Sequence, residues 1–254
     1  MPLRIKPWSG FWRGPWTRRD SLGGRMFSLE VITLGLVMVA VPYFATNNIA
    51  SMYLGTVWDP EIGLDRDIPV LNWTILPYAL LYLFYPVTLL VRPSGERGDA
   101  QLLVGMQTLI MATAFCCLIF LVLPAEIDLR DQIDWDSMNR WELALFEFIH
   151  QSDNPWNAWP SLHIVHSYLL ARLMTFWVSR KAGSQLAWRV FLVALWVELA
   201  LLSISILTTK QHYLFDLVTG IAVAQLAWMA TKPTLDEIGE MGPSAFAEKF
   251  GWTD

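Results

Sequence analysis

Two of the four histidines in the sequence lie in segments whose residue types suit catalysis. His212 opens an apolar stretch and Asp216 follows four residues later, so both side chains lie on one face of a helix. A carboxylate in that position accepts a hydrogen bond from one imidazole nitrogen and leaves the other nitrogen free to act as a nucleophile. A lone histidine near a helix end is usually only an interfacial residue, and the acid four residues on argues against that simpler interpretation.

The second segment is Pro160-Ser161-Leu162-His163. Proline suits the first turn of a helix, and the free N–H groups and positive dipole end there favour an anion. We expect the Ser161 hydroxyl to bind phosphate oxygens, and His163 to protonate a leaving alkoxide as general acid. Taken alone, the segment fits an ordinary helix start with a capping serine equally well.

The composition predicts that membrane helices position these two segments. The chain is 54% hydrophobic and only 16% charged, whereas an average soluble domain is about 25% charged. Roughly six stretches approach the 20 apolar residues that cross a bilayer. They are residues 27–46, 72–91, 102–124, 160–178, 189–207 and 212–230. The sequence therefore predicts an all-α integral membrane bundle of about six transmembrane helices.

The distribution of lysine and arginine predicts the orientation, because these residues favour cytoplasmic loops. The segment 1–26 is basic and aromatic, so we expect it to lie at the cytoplasmic headgroup surface. The loops near Arg92 and Arg180 are also basic, whereas the loops around 59–67 and 125–159 are acidic and should be external. Both termini would then be cytoplasmic in a multi-pass protein of the cell (inner) membrane, with both histidine segments at the extracytoplasmic face.

Three divisions of the chain follow from this topology: the segment 1–26, a membrane catalytic domain 27–231 and a cytoplasmic tail 232–254. The net charge of −5 and the lack of a broad basic stripe argue against a nucleic acid partner. The adjacent Cys116 and Cys117 have no CxxC spacing, so neither a zinc site nor a disulfide is expected.

Two further features concern the loops and the membrane interior. Asp136-Ser137 can cap a short interfacial helix in the long external loop, either near the site or with no part in chemistry. Arg172 and Glu198 lie deep in two spans, where charged residues usually pair. We therefore expect an Arg172–Glu198 ion pair with a structural role.

Both histidine segments resemble motifs of the type 2 phosphatidic acid phosphatase superfamily of membrane phosphatases and lipid phosphotransferases. The family's Pro-Ser-Gly-His motif is similar to residues 160–163, with Leu162 in place of glycine. Its Ser-Arg, five residues, His, three residues, Asp motif is similar to residues 205–216, with Ile206 in place of arginine. The resemblance covers roughly residues 67–220, and the Pro-Ser-Leu-His form most resembles the branch that contains inositol phosphorylceramide synthases.

The resemblance implies roles for the motif residues. His212 would attack phosphorus and form a phosphohistidine, Asp216 would orient it, and His163 would be the acid for the leaving group. Ser161 and Ser205 would belong to the phosphate-binding side of the site. No metal or other cofactor is implied.

The first family motif, which supplies a lysine and an arginine, has no clean match. Arg92-Pro93 is a literal Arg-Pro, but the predicted topology puts it on the cytoplasmic side. Arg130 and Lys210 are therefore the candidate cations for the phosphate oxygens. The alternatives are a salt bridge with a neighbouring acid for Arg130, and an interfacial lysine that reaches towards water for Lys210.

The resulting hypothesis is a membrane enzyme that removes or transfers phosphate from a lipid phosphate, a phospholipid or a prenyl diphosphate. Water as acceptor makes it a phosphatase, and a hydroxyl makes it a phosphotransferase. A non-catalytic transporter, flippase or scaffold that keeps the fold is the alternative. The headgroup, the acceptor and the oligomeric state stay open at this point.

Overall fold

A computed structural model describes residues 3–181 and 185–253 of the chain, and ten helices make up most of these two stretches. They are α1 (Ser9–Thr17), α2 (Ser21–Tyr53), α3 (Gly63–Asp67), α4 (Asn72–Val91), α5 (Glu96–Val122), α6 (Arg140–Ser152), α7 (Leu162–Val178), α8 (Leu186–Thr208), α9 (Leu214–Met241) and α10 (Pro243–Lys249). The same two stretches contain no β-strand. The predicted all-α bundle is confirmed.

Five of the described helices, α2, α4, α5, α8 and α9, are long and apolar enough to cross a membrane. The remaining predicted span is α7, which has 17 residues and lies among the others with most of its side chains buried. Some helices continue past the apolar stretch that predicted them. The helix α9 runs on to Met241, and an ion pair between Lys232 and Asp236, four residues apart, supports the polar extension.

The helix α7 packs against α4, α5, α8 and α9, so its first turn lies where several elements meet. Gly220 of α9 allows a close approach to this first turn. A Cβ atom built there would lie 2.9 Å from the carbonyl oxygen of Ser161. A larger residue would therefore push α9 away from the start of α7.

Both terminal segments meet at the end of the bundle opposite to the start of α7. The indole N–H of Trp252 donates to the carbonyl oxygen of Trp8 (2.9 Å), and that of Trp12 donates to Gln107 (2.9 Å). Trp12 and Trp16 are 0% and 2% exposed. The sequence pattern predicts a position at a lipid headgroup surface for this segment, but these two tryptophans are buried in the fold. They are buried because the tail and α5 offer them apolar partners.

The basic and acidic loops separate between the two ends of the bundle. Arg19 forms an ion pair with Glu96, and Arg180 pairs with Asp236 (2.9 Å) near the terminal segments. The loops between α2 and α4, between α5 and α7, and between α8 and α9 lie at the other end. The structure therefore groups the loops as the charge pattern requires.

The short helix predicted in the long loop is present as α6, but its cap is Asn139 and not Asp136-Ser137. The Asn139 side chain accepts hydrogen bonds from the N–H groups of Trp141 and Glu142 (both 3.1 Å), and Glu142 accepts one from the Asn139 N–H (3.0 Å). This reciprocal capping box satisfies more of the free N–H groups than a cap three residues earlier could.

The expected ion pair between Arg172 and Glu198 is wrong: among the described residues these two side chains do not pair. The Arg172 guanidinium instead lies 5.3 Å from the ring centre of Trp228 and 5.9 Å from that of Tyr168. Aromatic faces on α7 and α9 therefore provide the cation's neighbours within the bundle.

Candidate active site

His163 and His212 are in direct contact at the end of the bundle that holds the start of α7. Nδ1 of His163 lies 3.0 Å from Nε2 of His212. His163 is the second residue of α7, and His212 lies in the turn between α8 and α9, where its N–H donates to the carbonyl oxygen of Ile206 (3.0 Å). Only 10% and 3% of the two side chains are exposed. Two imidazoles from different helical segments therefore converge, as the sequence predicted.

Asp216 determines which nitrogen of His212 carries the proton. Its Oδ2 lies 3.1 Å from Nδ1 of His212 and also accepts a hydrogen bond from the Tyr213 N–H (2.9 Å). Because an ionised carboxylate only accepts, we assign the proton to Nδ1 of His212. Nε2 of His212 then presents its lone pair towards His163, which is the arrangement a nucleophile needs.

Ser161 joins the two halves of the site. Its N–H donates to the carbonyl oxygen of Asp216 (3.1 Å), and its side chain is fully buried. Ser161 occupies the capping position of α7, yet its hydroxyl makes no capping hydrogen bond and has no partner among the described residues. The ordinary capping-serine interpretation therefore fails, and a buried hydroxyl remains available for an anion.

Asp153, at the end of α6, is a member of the site that the sequence analysis missed. Its Oδ2 lies 3.5 Å from Nε2 of His163 and accepts a hydrogen bond from the Tyr43 hydroxyl (2.7 Å). Asn47 donates to its other carboxylate oxygen (2.6 Å). The Tyr78 hydroxyl lies 3.2 Å from the same nitrogen of His163. His163 thus has His212 on one side and a carboxylate with a phenol on the other.

The sequence contains only indirect signals for Asp153 and its hydrogen-bond partners beside His163. Tyr43 and Asn47 are four residues apart near the end of the first apolar span, so they share one helix face. Two hydrogen-bonding side chains on one face of such a span are uncommon without a polar partner. That partner, Asp153, lies at the end of α6, more than 100 residues away, and no local pattern identifies it.

Burial and nearby charge act against each other on Asp153. Burial raises the pKa of the Asp153 carboxyl, whereas the Tyr43 hydrogen bond and the neighbouring His212 and Arg130 lower it. The cation and the phenol therefore help to keep this carboxylate ionised beside His163.

Arg130 lies beside the site, and its predicted contact with phosphate oxygens stays a prediction. Its Nη2 donates to the carbonyl oxygen of Asp153 (2.8 Å) and to Oε1 of Gln211 (3.2 Å). Burial lowers the Arg130 pKa, and its Nε is buried without a partner among the described residues. Among the described residues Arg130 forms no salt bridge with Glu126 or Asp131. The alternative interpretation of Arg130, a salt bridge with a neighbouring acid, therefore does not hold.

Contrary to the prediction, the side chains of Lys210 and Ser205 do not point to the site. The Lys210 ammonium is fully buried and donates to the carbonyl oxygens of Asp65 (2.8 Å) and Ile68 (2.7 Å). The Ser205 hydroxyl is buried and donates to the carbonyl oxygen of Leu202 (2.9 Å). These contacts support positioning roles: Lys210 fastens the turn before His212 to α3, because backbone carbonyls there are its nearest acceptors. They do not support the predicted phosphate contacts.

His150 extends the polar network behind the nucleophile. Its Nε2 lies 2.6 Å from Nε2 of Gln211, the residue before His212. Burial, with a further effect of the Arg130 charge, lowers the pKa of His150 to about 3. Neutral His150 can therefore accept the amide hydrogen of Gln211, while the Gln211 oxygen accepts from Arg130.

The His150 pKa predicts acid sensitivity of the fold. Between pH 6.5 and about 3 the unfolded chain binds a proton at this residue and the folded chain does not, so stability is lost as pH falls through that window. We expect His150→Gln to remove about 2 kcal/mol of the destabilisation that develops between pH 7 and pH 5. Thermal unfolding of the detergent-solubilised variants at both pH values measures this. An equal fall in Tm for wild type and variant would contradict it.

Comparison with known proteins agrees with the site's geometry. A family model for the PAP2 superfamily matches residues 63–230, which is more than half of the chain and includes both histidine segments. No curated protein and no solved structure matches the chain. The chain therefore belongs to the PAP2 superfamily, the type 2 phosphatidic acid phosphatases, whose members are generally phosphatases and phosphotransferases.

Proposed function

We propose that this protein transfers the phosphoryl group of a membrane lipid to water or to a hydroxyl, through a phosphohistidine on His212 at the extracytoplasmic face. The single observation that carries the proposal is the chain of contacts Asp216–His212–His163, with 3.1 Å and 3.0 Å between successive polar atoms. It supplies an oriented nucleophile and an adjacent acid.

In the first step the lone pair on Nε2 of His212 attacks phosphorus while the bond from phosphorus to the leaving oxygen breaks. The imidazolium form of His163 gives its Nδ1 proton to that oxygen and keeps the Nε2 proton, which faces Asp153. A phosphohistidine and a neutral alcohol result. Because Nδ1 of His163 and Nε2 of His212 are only 3.0 Å apart, the two rings must separate to admit the phosphoryl group.

In the second step the acceptor gives its proton to the bare Nδ1 of His163 as its oxygen attacks phosphorus. The N–P bond breaks, and its electron pair returns to Nε2 of His212. His163 is again an imidazolium, so the cycle closes with no net proton change on the protein.

Two groups suit the phosphate oxygens. The buried Ser161 hydroxyl and the buried Nε–H of Arg130 have no partner among the described residues, and both can donate to an anion. Positive charge beside a transferring phosphoryl group stabilises the charge that develops on it. Arg130 thereby replaces the cations of the unmatched first motif.

The proposed position of the site at the extracytoplasmic face rests on the distribution of acidic and basic loops. The end of the bundle that carries the site holds the acidic loops, and the basic segments gather at the opposite end with both termini. Basic loops favour the cytoplasm.

Asp153 gives a prediction about pH. In Asp153→Asn the imidazolium of His163 loses its counter-charge, so we expect the alkaline limb of the rate profile to move down by about one pH unit. Asparagine keeps the shape and can still accept from Tyr43. The measurement is kcat/KM against pH for both proteins. A uniformly lower rate with an unmoved limb would show that Asp153 has only a structural role.

The function is tested with a panel of ³²P-labelled lipid phosphates, phospholipids and prenyl diphosphates. Release of labelled phosphate identifies a phosphatase, and a new labelled lipid identifies a phosphotransferase, the outcome favoured by the resemblance to the synthase branch. His212→Ala is the control. Equal turnover by the control, or no turnover of any member by a folded wild type, would reject the proposal.

A further inference from the structure

A cavity of about 560 Å³ runs alongside the histidine site between α2, α4, α5 and α7. At one end its wall includes Tyr43, Asp153 and His163, which belong to the site. At the other end it includes Val31 and Leu173. The cavity thus begins at the proposed reaction centre and continues into the membrane part of the bundle.

The depth of the cavity follows from the helices that line it. His163 and Leu173 are ten residues apart on α7, which corresponds to about 15 Å at helical rise. Tyr43 and Val31 are twelve residues apart on α2, or about 18 Å. Half of a hydrocarbon core is about 15 Å, so the cavity extends through roughly one leaflet.

A charged cluster lies beyond the inner end of the cavity, one helical turn past residues that line it. Phe27 lies one turn before Val31 on α2 and is 1% exposed. The Arg92 guanidinium lies 5.2 Å from the Phe27 ring centre and forms an ion pair with Asp99 at the start of α5. A hydrocarbon chain cannot extend through this cluster without taking the ion pair out of its polar surroundings.

The lining of the cavity changes from polar to apolar at His166, which lies one turn below the site. Nδ1 of His166 accepts a hydrogen bond from the Tyr85 hydroxyl (2.7 Å). Its Nε2–H donates to Thr113 (2.8 Å), whose own hydroxyl donates to the carbonyl oxygen of Leu109 (2.8 Å). Both ring nitrogens of His166 are therefore occupied. Below this level the lining is mostly aliphatic, which suits hydrocarbon.

The cavity also reaches the bilayer-facing surface. Ile32 and Leu36 line it, yet they are 46% and 59% exposed. Since α2 packs on α5, and α4 packs on α7, the gap between α2 and α4 gives a chain a lateral route from the surrounding leaflet.

We propose that this cavity binds one acyl chain of the substrate lipid, about one leaflet long, while the phosphate lies at the histidine pair. This inference rests on the proposed function for the position of the phosphate. It makes acyl lipids the substrate class and disfavours long polyprenyl diphosphates, whose chains exceed the depth to the Arg92–Asp99 cluster and would have to bend out through the gap between α2 and α4.

Gly35 offers a way to shorten the cavity. It lines the cavity, and a Cβ atom there would meet only the end of the Met106 side chain, at an ordinary 3.6 Å. Gly35→Leu should therefore fold and fill part of the inner half. Val37→Leu is the matched control, because Val37 lies on the same helix, is 52% exposed and does not line the cavity.

The experiment measures binding and turnover separately. Binding uses non-hydrolysable single-chain alkylphosphonates from hexyl to eicosyl, with the purified full chain in detergent. With each ligand's partition into detergent micelles measured and corrected for, we expect affinity to rise by up to about fourfold per methylene and then to level off at a length that fits the cavity. Gly35→Leu should level off at shorter chains, and Val37→Leu should follow the wild type.

Two results would overturn the inference: a levelling length that Gly35→Leu leaves unchanged, or long polyprenyl diphosphates turned over as fast as the best acyl phosphate. Failure of the proposed function looks different. Binding that depends on chain length, without turnover of any phosphate, would keep the cavity assignment and reject the proposed chemistry. Turnover without dependence on chain length would keep the chemistry and reject the cavity assignment.

Discussion

His212→Asn is expected to lower phosphoryl transfer by about 10⁴-fold or more, since loss of a nucleophile removes the covalent route. Asparagine keeps a polar group near Asp216, which otherwise would lose its side-chain partner in a fully buried position. The rate of labelled phosphate release under single-turnover conditions measures the loss.

The control for His212→Asn is the thermal unfolding of the same preparation. A Tm close to that of the wild type shows that the loss is chemical. Activity retained within about tenfold would mean that another group attacks phosphorus, and the assignment of the nucleophile would be wrong.

His163→Gln should have the second largest effect, and its size should depend on the leaving group. With a lipid alkoxide, loss of the acid is expected to slow the first step by about 10² to 10⁴-fold. With p-nitrophenolate, which needs little protonation, the loss should be much smaller. The measurement is kcat/KM for an alkyl phosphate and an aryl phosphate with both proteins.

The comparison between leaving groups is its own control, because a folding defect lowers both rates equally. Equal losses for the two substrates would contradict the role of His163 as general acid. The Tyr78 and Asp153 contacts to its Nε2 would then serve only to place the ring.

The helical bundle and the histidine contact were predictable from sequence for physical reasons. Long apolar stretches have few structures other than membrane helices available to them. The four-residue spacing of His212 and Asp216 fixes their contact within one helical turn, and the alternation of basic and acidic loops brings His163 to the same end.

Other parts of the site depend on contacts that no local pattern encodes. Asp153 reaches His163 because α6 packs across the end of α4, and the loop sequence does not specify that packing. Lys210 looks like a phosphate ligand by position, yet the carbonyls of α3 and the following turn, more than 140 residues away, occupy its ammonium. Arg172 was misassigned for the same reason, since an aromatic neighbour on α9 cannot be inferred from charge.

The central claim is that phosphate becomes bonded to the imidazole of His212 during turnover. Rapid quenching of the full chain in alkali after mixing with a ³²P-labelled lipid phosphate, followed by mass spectrometry of the labelled peptide, tests it directly. The account predicts an acid-labile phosphate on residue 212, formed and consumed at the rate of turnover and undetectable in His212→Asn. Phosphate on another residue, or full turnover with no phosphorylated protein at any time, would contradict it.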